Sequence, residues 1–392
     1  MRDPLLLKGF EVELYTGRAD GTVVGCSAAA AAALAGFVTE PDQRNLEYIT
    51  APDASYERQL QLLIEPRQRL RQWLANRQLT LLPGSSLSLG DSHHFERSDP
   101  ANPYHSYIEA TYGTTVVTAS VHINLGPIRS RGANPMDRLF AGLRLLRCEA
   151  ALLLALSASS PFLDGAVTGA HSQRWLQFPL TPAKVPLFLD HQHYIGWMDQ
   201  QLELGTMQNV RHLWTSVRPN GDNRPHDLNR LEIRICDLVT DPLVLLAITA
   251  FAELRLQQLL RQPDLCDPLQ ASSLTPEELA LLADANERAA AVASLEATLH
   301  HWRRGEPVLA KNWLREELAA LAPLASELGL DNQLAPLEIV LDRGNQAMRW
   351  LAGHQAGIPI SQLISLEIAA MASQELELLE AIATDAKPRP LG

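Results

Sequence analysis

Gly9-Phe10-Glu11-Val12-Glu13-Leu14 alternates apolar and acidic side chains. Successive side chains of an extended strand point to opposite faces, so Glu11 and Glu13 share one face while Phe10, Val12 and Leu14 take the other. Two carboxylates on alternate positions stand roughly 7 Å apart and repel unless water or cations come between them. A strand with one wet face is the plain alternative. Such a face usually carries mixed charges, whereas both charges here are negative.

Three further segments repeat the pattern. In TEPDQRNLEY (residues 39–48) a tight turn separates Glu40 from Glu47, the later one in a strand. Val121-His122-Ile123-Asn124-Leu125 ends the most strand-like stretch of the chain with His122 and Asn124 on one face. Leu231-Glu232-Ile233-Arg234-Ile235 puts Glu232 and Arg234 on one face and the aliphatic residues on the other. Taken singly, His122 reads as a satisfied half-buried histidine, and Glu232 with Arg234 as a surface ion pair. Together, the four segments describe a sheet whose polar face gathers carboxylates, an imidazole and arginines. Mg²⁺-nucleotide chemistry needs such a face, because Mg²⁺ takes oxygen ligands shared with phosphates and arginines neutralise the transferring phosphoryl group.

The 392 residues carry 45 Asp and Glu against 33 Lys and Arg, a net charge of −12. That sign disfavours nucleic acid, whose binders cluster Lys and Arg against phosphate, and an anionic membrane surface. Hydrophobic residues at 46% exclude intrinsic disorder. Cys26, Cys148, Cys236 and Cys266 form no CxxC pair and are expected to be reduced thiols, mostly buried. The leucine run near the start is too short for a signal peptide, and the apolar run over residues 28–37 too short for a membrane span. A soluble, cytoplasmic protein is expected.

Up to about Asp241, strand and helix signals mix without regular alternation: strands over 9–15, 46–50, 107–109, 114–125, 212–217 and 228–236, helices over 22–37, 53–77 and 134–158. An antiparallel α+β fold fits that order better than a doubly wound one. Beyond Asp241 only helices are expected. One opens at the capping box Thr275-Pro276-Glu277-Glu278 and closes at Gly305, one begins at Pro336, and one covers 360–384. The simplest division is a catalytic body over 1–265, a helical region over 266–385 packed on it, and a flexible tail over 386–392. No phosphate loop, dinucleotide fingerprint, HExxH helix or nucleophile elbow occurs. His93-His94 and His191-x-His193 lie among turn signals and read as solvated loop histidines.

In chain order, GFEVE (9–13), TEPDQRNLEYITAP (39–52), TASVHINL (118–125), SASSPFLDGAVTGAHSQR (157–174), HLWTSVRP (212–219) and NRLEIRICD (229–237) are similar to the glutamate–cysteine ligases. The chain resembles the cyanobacterial and plant-like branch of the type 2 family, with a glutamine-synthetase-like fold. The resemblance implies a curved antiparallel sheet forming a funnel, flanked by helices. It further implies ATP as co-substrate, two or three Mg²⁺ ions held by Glu11, Glu13, Glu40, Glu47, His122 and Glu232, and catalysis by Arg174, Arg234 and Glu232. Arg174, Arg230, Arg234 and Asn124 would bind ATP and substrate. The implied partners are L-glutamate, L-cysteine and ATP, with the chain a monomer or homodimer, and the implied reaction is the first step of glutathione biosynthesis. On this view Glu232→Ala and Arg234→Ala nearly abolish ligation and leave the fold intact. Two alternatives stay open: a related ligase joining glutamate to another amine, and a non-catalytic relative that binds glutamate or nucleotide.

Overall fold

The computed structural model describes residues 4–128, 134–220 and 230–385. Its strands in chain order are β1 (Leu7–Gly17), β2 (Phe37–Thr39), β3 (Asn45–Ile49), β4 (Thr80–Leu82), β5 (Val121–Gly126), β6 (Phe162–Leu163), β7 (Ala166–Val167), β8 (Val217–Asn220), β9 (Arg230–Ile233), β10 (Thr298–His300) and β11 (Pro307–Leu309). Seven form one antiparallel sheet in the order β2-β3-β1-β5-β9-β8, with β4 also pairing β1. The α+β class expected from the sequence is the one observed.

Alternation decides which face is which. Phe10, Val12, Leu14, Val121, Ile123, Leu125, Leu231 and Ile233 are all buried on the apolar face. The helix Pro135–Ser157 packs beneath β8 and β9, and Tyr56–Ala75 packs on β1 and β4. Pro135–Ser157 starts cleanly because the Asn134 side chain accepts from the Met136 N–H and Pro135 gives up a donor the first turn cannot use. Every residue from Leu139 to Ser157 is buried, which marks a helix enclosed on all sides. Beside it lies Pro242–Arg261, capped by Asp241. Among the described residues this helix alone is long and apolar enough to cross a membrane, and it is mostly buried inside the fold.

Lys8 occupies a core-facing position of β1 at 0% exposure, where its Nζ meets Glu253 Oε2 at 3.1 Å. Glu253 also accepts from the Tyr56 hydroxyl at 2.7 Å and the Leu6 N–H. Burial holds the Lys8 ammonium below its usual range despite that carboxylate. Glu253→Ala strands the charge in the core and is expected to cost about 3–5 kcal/mol. Urea unfolding reads this directly, and a loss under about 1 kcal/mol would mean that the pair is hydrated.

Several local expectations are corrected. The helix expected over 22–37 shrinks to Ser27–Ala33: Leu34 already takes an extended conformation, at φ −122 and ψ 112, and Gly36 at φ 91 then turns the chain into β2. Residues 107–109 are helical, not extended: Asn102 caps and Pro103 opens the helix Pro103–Tyr112. Thr114–Val116 falls in a 3-10 turn and β5 begins only at Val121. His212 closes another 3-10 turn, so the expected strand starts later, at Val217. The capping box at Thr275 forms, with both of its hydrogen bonds. That helix nevertheless ends at Ala293, where Ser294 takes φ 43, and the chain returns through a hairpin of β10 and β11 around Gly305. Strands therefore do occur after Asp241. Pro336 lies inside a helix, Asp331–Arg343, rather than opening one. His191 and His193 stand in the first turn of the helix His191–Glu203 instead of a loop. The last helix covers Ile360–Asp385 as expected. The start of the strand expected at Leu228 and the tail over 386–392 lie outside the described residues.

Candidate active site

Strand register assembles the polar face. Glu11 stands opposite His122 and Glu13 opposite Glu47, while Asn124 and Arg218 both stand opposite Glu232. Glu40 follows β2 on the same parity as Val38, which faces Glu47. The turn carrying Glu40 is tied by Arg44, whose Nε and Nη2 donate to the two Asp42 carboxylate oxygens at 2.8 and 2.7 Å.

Two groups of three result: Glu11, His122 and Glu232, and Glu13, Glu40 and Glu47. Within each, one potential ligand atom per residue lies within 4.8 Å of the others. The six residues marked from the sequence as metal ligands are thus brought together as two triads on one face. His122 joins them, with Nδ1 3.0 Å from Glu11 and 3.7 Å from Glu232 and Nε2 3.9 Å from Glu13. Asn124 donates to Glu11 at 3.1 Å and the Ser120 hydroxyl to Glu13 at 2.9 Å.

The triads differ electrostatically. Glu232 is fully buried but receives Arg218 at 3.0 and 3.2 Å and Arg234 at 2.5 Å. Burial pushes its carboxyl up, yet the two guanidinium groups hold it well below the usual carboxylate range. Burial also raises Glu11, and the hydrogen bond and charge of His122 outweigh it, leaving Glu11 low. In the second triad, no Lys or Arg forms a salt bridge to Glu13, Glu40 or Glu47 among the described residues. There burial and then the neighbouring carboxylates raise Glu40 well above its ordinary value and push Glu47 up to about 8. Oxygen donors crowded without a side-chain cation have the chemistry of a divalent-cation site.

Two cavities flank the acids. One, of about 170 Å³, is lined by Glu13, Glu40, His122, Arg174, Arg234 and Trp214. The other, of about 260 Å³, holds Glu11, Asn124 and Arg230 among its lining residues. Trp214 stacks on Phe178 at 4.3 Å and lies 5.2 Å from the Arg174 guanidinium and 5.7 Å from that of Arg234. Arg174 and Arg234 thus belong to the first cavity, whereas Arg230 and Asn124 belong to the second. Arg218 and Trp214 were not singled out from the sequence. Arg218 lies one residue past the strand expected there, and only the register with β9 places it against Glu232. All four cysteines are free; Cys148, Cys236 and Cys266 are buried, and burial raises Cys148 and Cys236 to about 12.

An antiparallel sheet with helices on its apolar face and an acid-lined polar face is the glutamine-synthetase-like ligase fold. Two solved structures share it. A glutamate–cysteine ligase from Francisella tularensis in complex with AMP superposes with TM-score 0.69 at 14% identity, covering 98% of this chain and 94% of its own. A bifunctional glutathione synthetase from Pasteurella multocida superposes with TM-score 0.71 at 16% identity, covering 96% of this chain and 54% of its own. At these identities the likeness is one of fold. The model of glutamate-cysteine ligase family 2 matches residues 7–363, and the chain belongs to that family. A candidate glutamate–cysteine ligase 2 from Micrococcus luteus is 28% identical over 277 residues, covering 67% of this chain. The match spans 64% of that relative's own length.

Proposed function

We propose that the chain is an ATP-dependent ligase joining the γ-carboxylate of L-glutamate to the amine of L-cysteine, the first step of glutathione biosynthesis. The observation that carries this reading is the row of five carboxylates and one imidazole set between two cavities, with buried guanidinium groups alongside. A carboxylate does not condense with an amine at neutral pH, because its oxygen is too poor a leaving group. Transfer of the γ-phosphoryl group of ATP to the glutamate side chain releases ADP and turns that oxygen into part of a phosphate. The amine then attacks the carbonyl carbon, the C–O bond to phosphate breaks, and the nitrogen loses a proton. No protein nucleophile is needed, and positioning with charge neutralisation suffices.

Glu11, His122 and Glu232 would hold one Mg²⁺, and Glu13, Glu40 and Glu47 another. When bound, Mg²⁺ supplies charge neutralisation on the phosphate oxygens. Arg234 and Arg174 stand on the wall of the first cavity, placed to hold the glutamate carboxylate and the transferring phosphoryl group. Arg230 and Asn124 line the second, placed for the nucleotide. Arg218 keeps Glu232 ionised and in position.

Purified protein incubated with ATP, Mg²⁺ and L-glutamate is expected to release phosphate when L-cysteine is added and to form γ-glutamylcysteine, read by mass spectrometry. Preference for another amine in a panel of amino acids would sink the assignment of cysteine. Tight ATP binding by calorimetry without turnover on any amine would sink the enzyme reading.

A further inference from the structure

Arg174 is a buried guanidinium with no carboxylate in hydrogen-bond contact. Its Nη1 and Nη2 donate to the carbonyls of Ile235 and Arg234 at 3.2 and 3.0 Å, and its Nε has no partner among the described residues. The nearest acid is Asp237, 4.0 Å away and itself fully buried. Asp237 Oδ1 accepts from the Ser172 hydroxyl at 2.8 Å. Its Oδ2 accepts from the Ser160 hydroxyl at 2.7 Å and the Ser159 N–H at 2.9 Å. Ser160 Oγ in turn accepts from the backbone N–H of Arg174 at 3.1 Å. Ser172 caps the short helix Gln173–Gln177, in which Arg174 is the second residue. From the other side, the Ala291 carbonyl at the end of Pro276–Ala293 accepts from the N–H groups of His171 and Ser172 at 2.9 and 2.8 Å. One carboxylate therefore ties the segment after β9, the turn at residues 159–160 and the segment bearing Arg174.

We propose that Asp237 is a positioning residue, whose buried charge 4.0 Å from the Arg174 guanidinium, held in place by Ser160 and Ser172, keeps that guanidinium on the wall of the first cavity, over Trp214 and beside Arg234. A long side chain whose only other anchors are two carbonyls would otherwise swing, and a displacement of about 1 Å at a reacting group can cost about 10²-fold in rate. The ligase reading supplies the anionic group that Arg174 meets; the positioning itself stands on the Asp237 charge and the hydrogen bonds that fix it beside Arg174.

Asp237→Asn keeps the shape of the side chain and the bonds from Ser159 and Ser160, and the Ser172 hydroxyl can turn to accept the third. What is lost is the negative charge beside Arg174. At saturating ATP, Mg²⁺, L-glutamate and L-cysteine, kcat is expected to fall roughly 10- to 100-fold. The loss should vanish in the Arg174→Ala background, the double variant staying within about twofold of Arg174→Ala alone, because the two residues act as one unit. Glu253→Gln, which weakens a distant buried ion pair, should lower the melting temperature and leave kcat unchanged. A wild-type kcat in Asp237→Asn, or losses that multiply in the double variant, would overturn the proposal. The ¹⁵Nε–¹Hε resonance of Arg174, assigned by its disappearance in Arg174→Ala, reads position without turnover. It should shift in Asp237→Asn and stay in Glu253→Gln; no shift in Asp237→Asn also overturns the proposal. If that resonance shifts while the wild-type chain forms no γ-glutamyl bond with any amine, the positioning holds and the ligase reading falls.

Discussion

Replacing Glu232 with glutamine is expected to slow ATP-dependent ligation by roughly 10²- to 10³-fold, the cost of losing one preorganised charged group at a site of phosphoryl transfer. Steady-state phosphate release at saturating ATP and Mg²⁺ measures it, and turnover within about threefold of wild type would remove Glu232 from the machinery. Glutamine is the informative choice because of what surrounds the carboxylate. Arg218 and Arg234 both donate to it and its exposure is 0%. Glu232→Ala would leave two guanidinium groups without their carboxylate, and truncating one partner of a buried ion pair costs about 3–5 kcal/mol. On that ground Glu232→Ala is expected to cost stability as well as activity. Loss of activity in the alanine variant would mix instability with chemistry, whereas glutamine keeps volume and one acceptor oxygen.

The second large effect is thermal. Mg²⁺ should raise the melting temperature by several degrees, and by more at pH 8 than at pH 6. Glu47 lies at about 8 in the folded chain against an ordinary 4.5, and Glu40 is raised with it. A carboxyl raised by folding contributes stability that is complete below the unfolded value and fades as pH climbs through the folded one. The metal-free protein should therefore lose stability between about pH 4.5 and pH 8, on the order of 1 kcal/mol for each pH unit climbed. A cation binds the deprotonated carboxylates and displaces their protons, so its gain is largest where those protons are already gone. At 100-fold excess over its Kd, a ligand specific for the folded state adds about 2.7 kcal/mol. Calorimetric scans at both pH values, with and without millimolar Mg²⁺, decide the matter. A melting temperature indifferent to Mg²⁺ at pH 8 would mean that the second triad holds no cation. In Glu47→Gln, the added stabilisation at the higher pH should shrink.

The acidic surplus illustrates how much composition carries. A net charge of −12 speaks of solubility and partners, and says nothing of five glutamates standing on one face. Their common face was legible because strand side chains alternate strictly. Once Glu11 and Glu13 lie in a strand, parity places them together, and the same holds for His122 with Asn124 and for Glu232 with Arg234. Two helix starts were legible for an equally local reason. Asn134 and Thr275 each accept from an N–H a few residues on. Helix ends misled where the backbone left the helical region: Leu34 turns extended after Ala33 and Ser294 takes φ 43 after Ala293, ending helices that the side chains would have allowed to continue.

Strand pairing is a long-range choice that no local pattern encodes, and it decided the rest. Antiparallel registry sets Glu13 against Glu47 and Glu11 against His122, which splits six candidate ligands into two triads rather than one cluster. It also sets Arg218 against Glu232, making a buried ion pair of a glutamate that, in sequence, shares a face only with Arg234. The pull of Arg218 and Arg234 on one triad and the mutual repulsion of carboxylates in the other arise from distances between segments far apart in the chain. The clasp of Asp237 on Arg174 likewise joins separate segments, through two serines. The sequence by itself determined an antiparallel sheet with acids, an imidazole and arginines on its polar face, because alternation is a property of each strand alone. Which acids meet, which stay charged and which arginine each one holds were decided by the tertiary structure, because Coulomb and desolvation energies depend on separation and burial, and only the folded chain sets those.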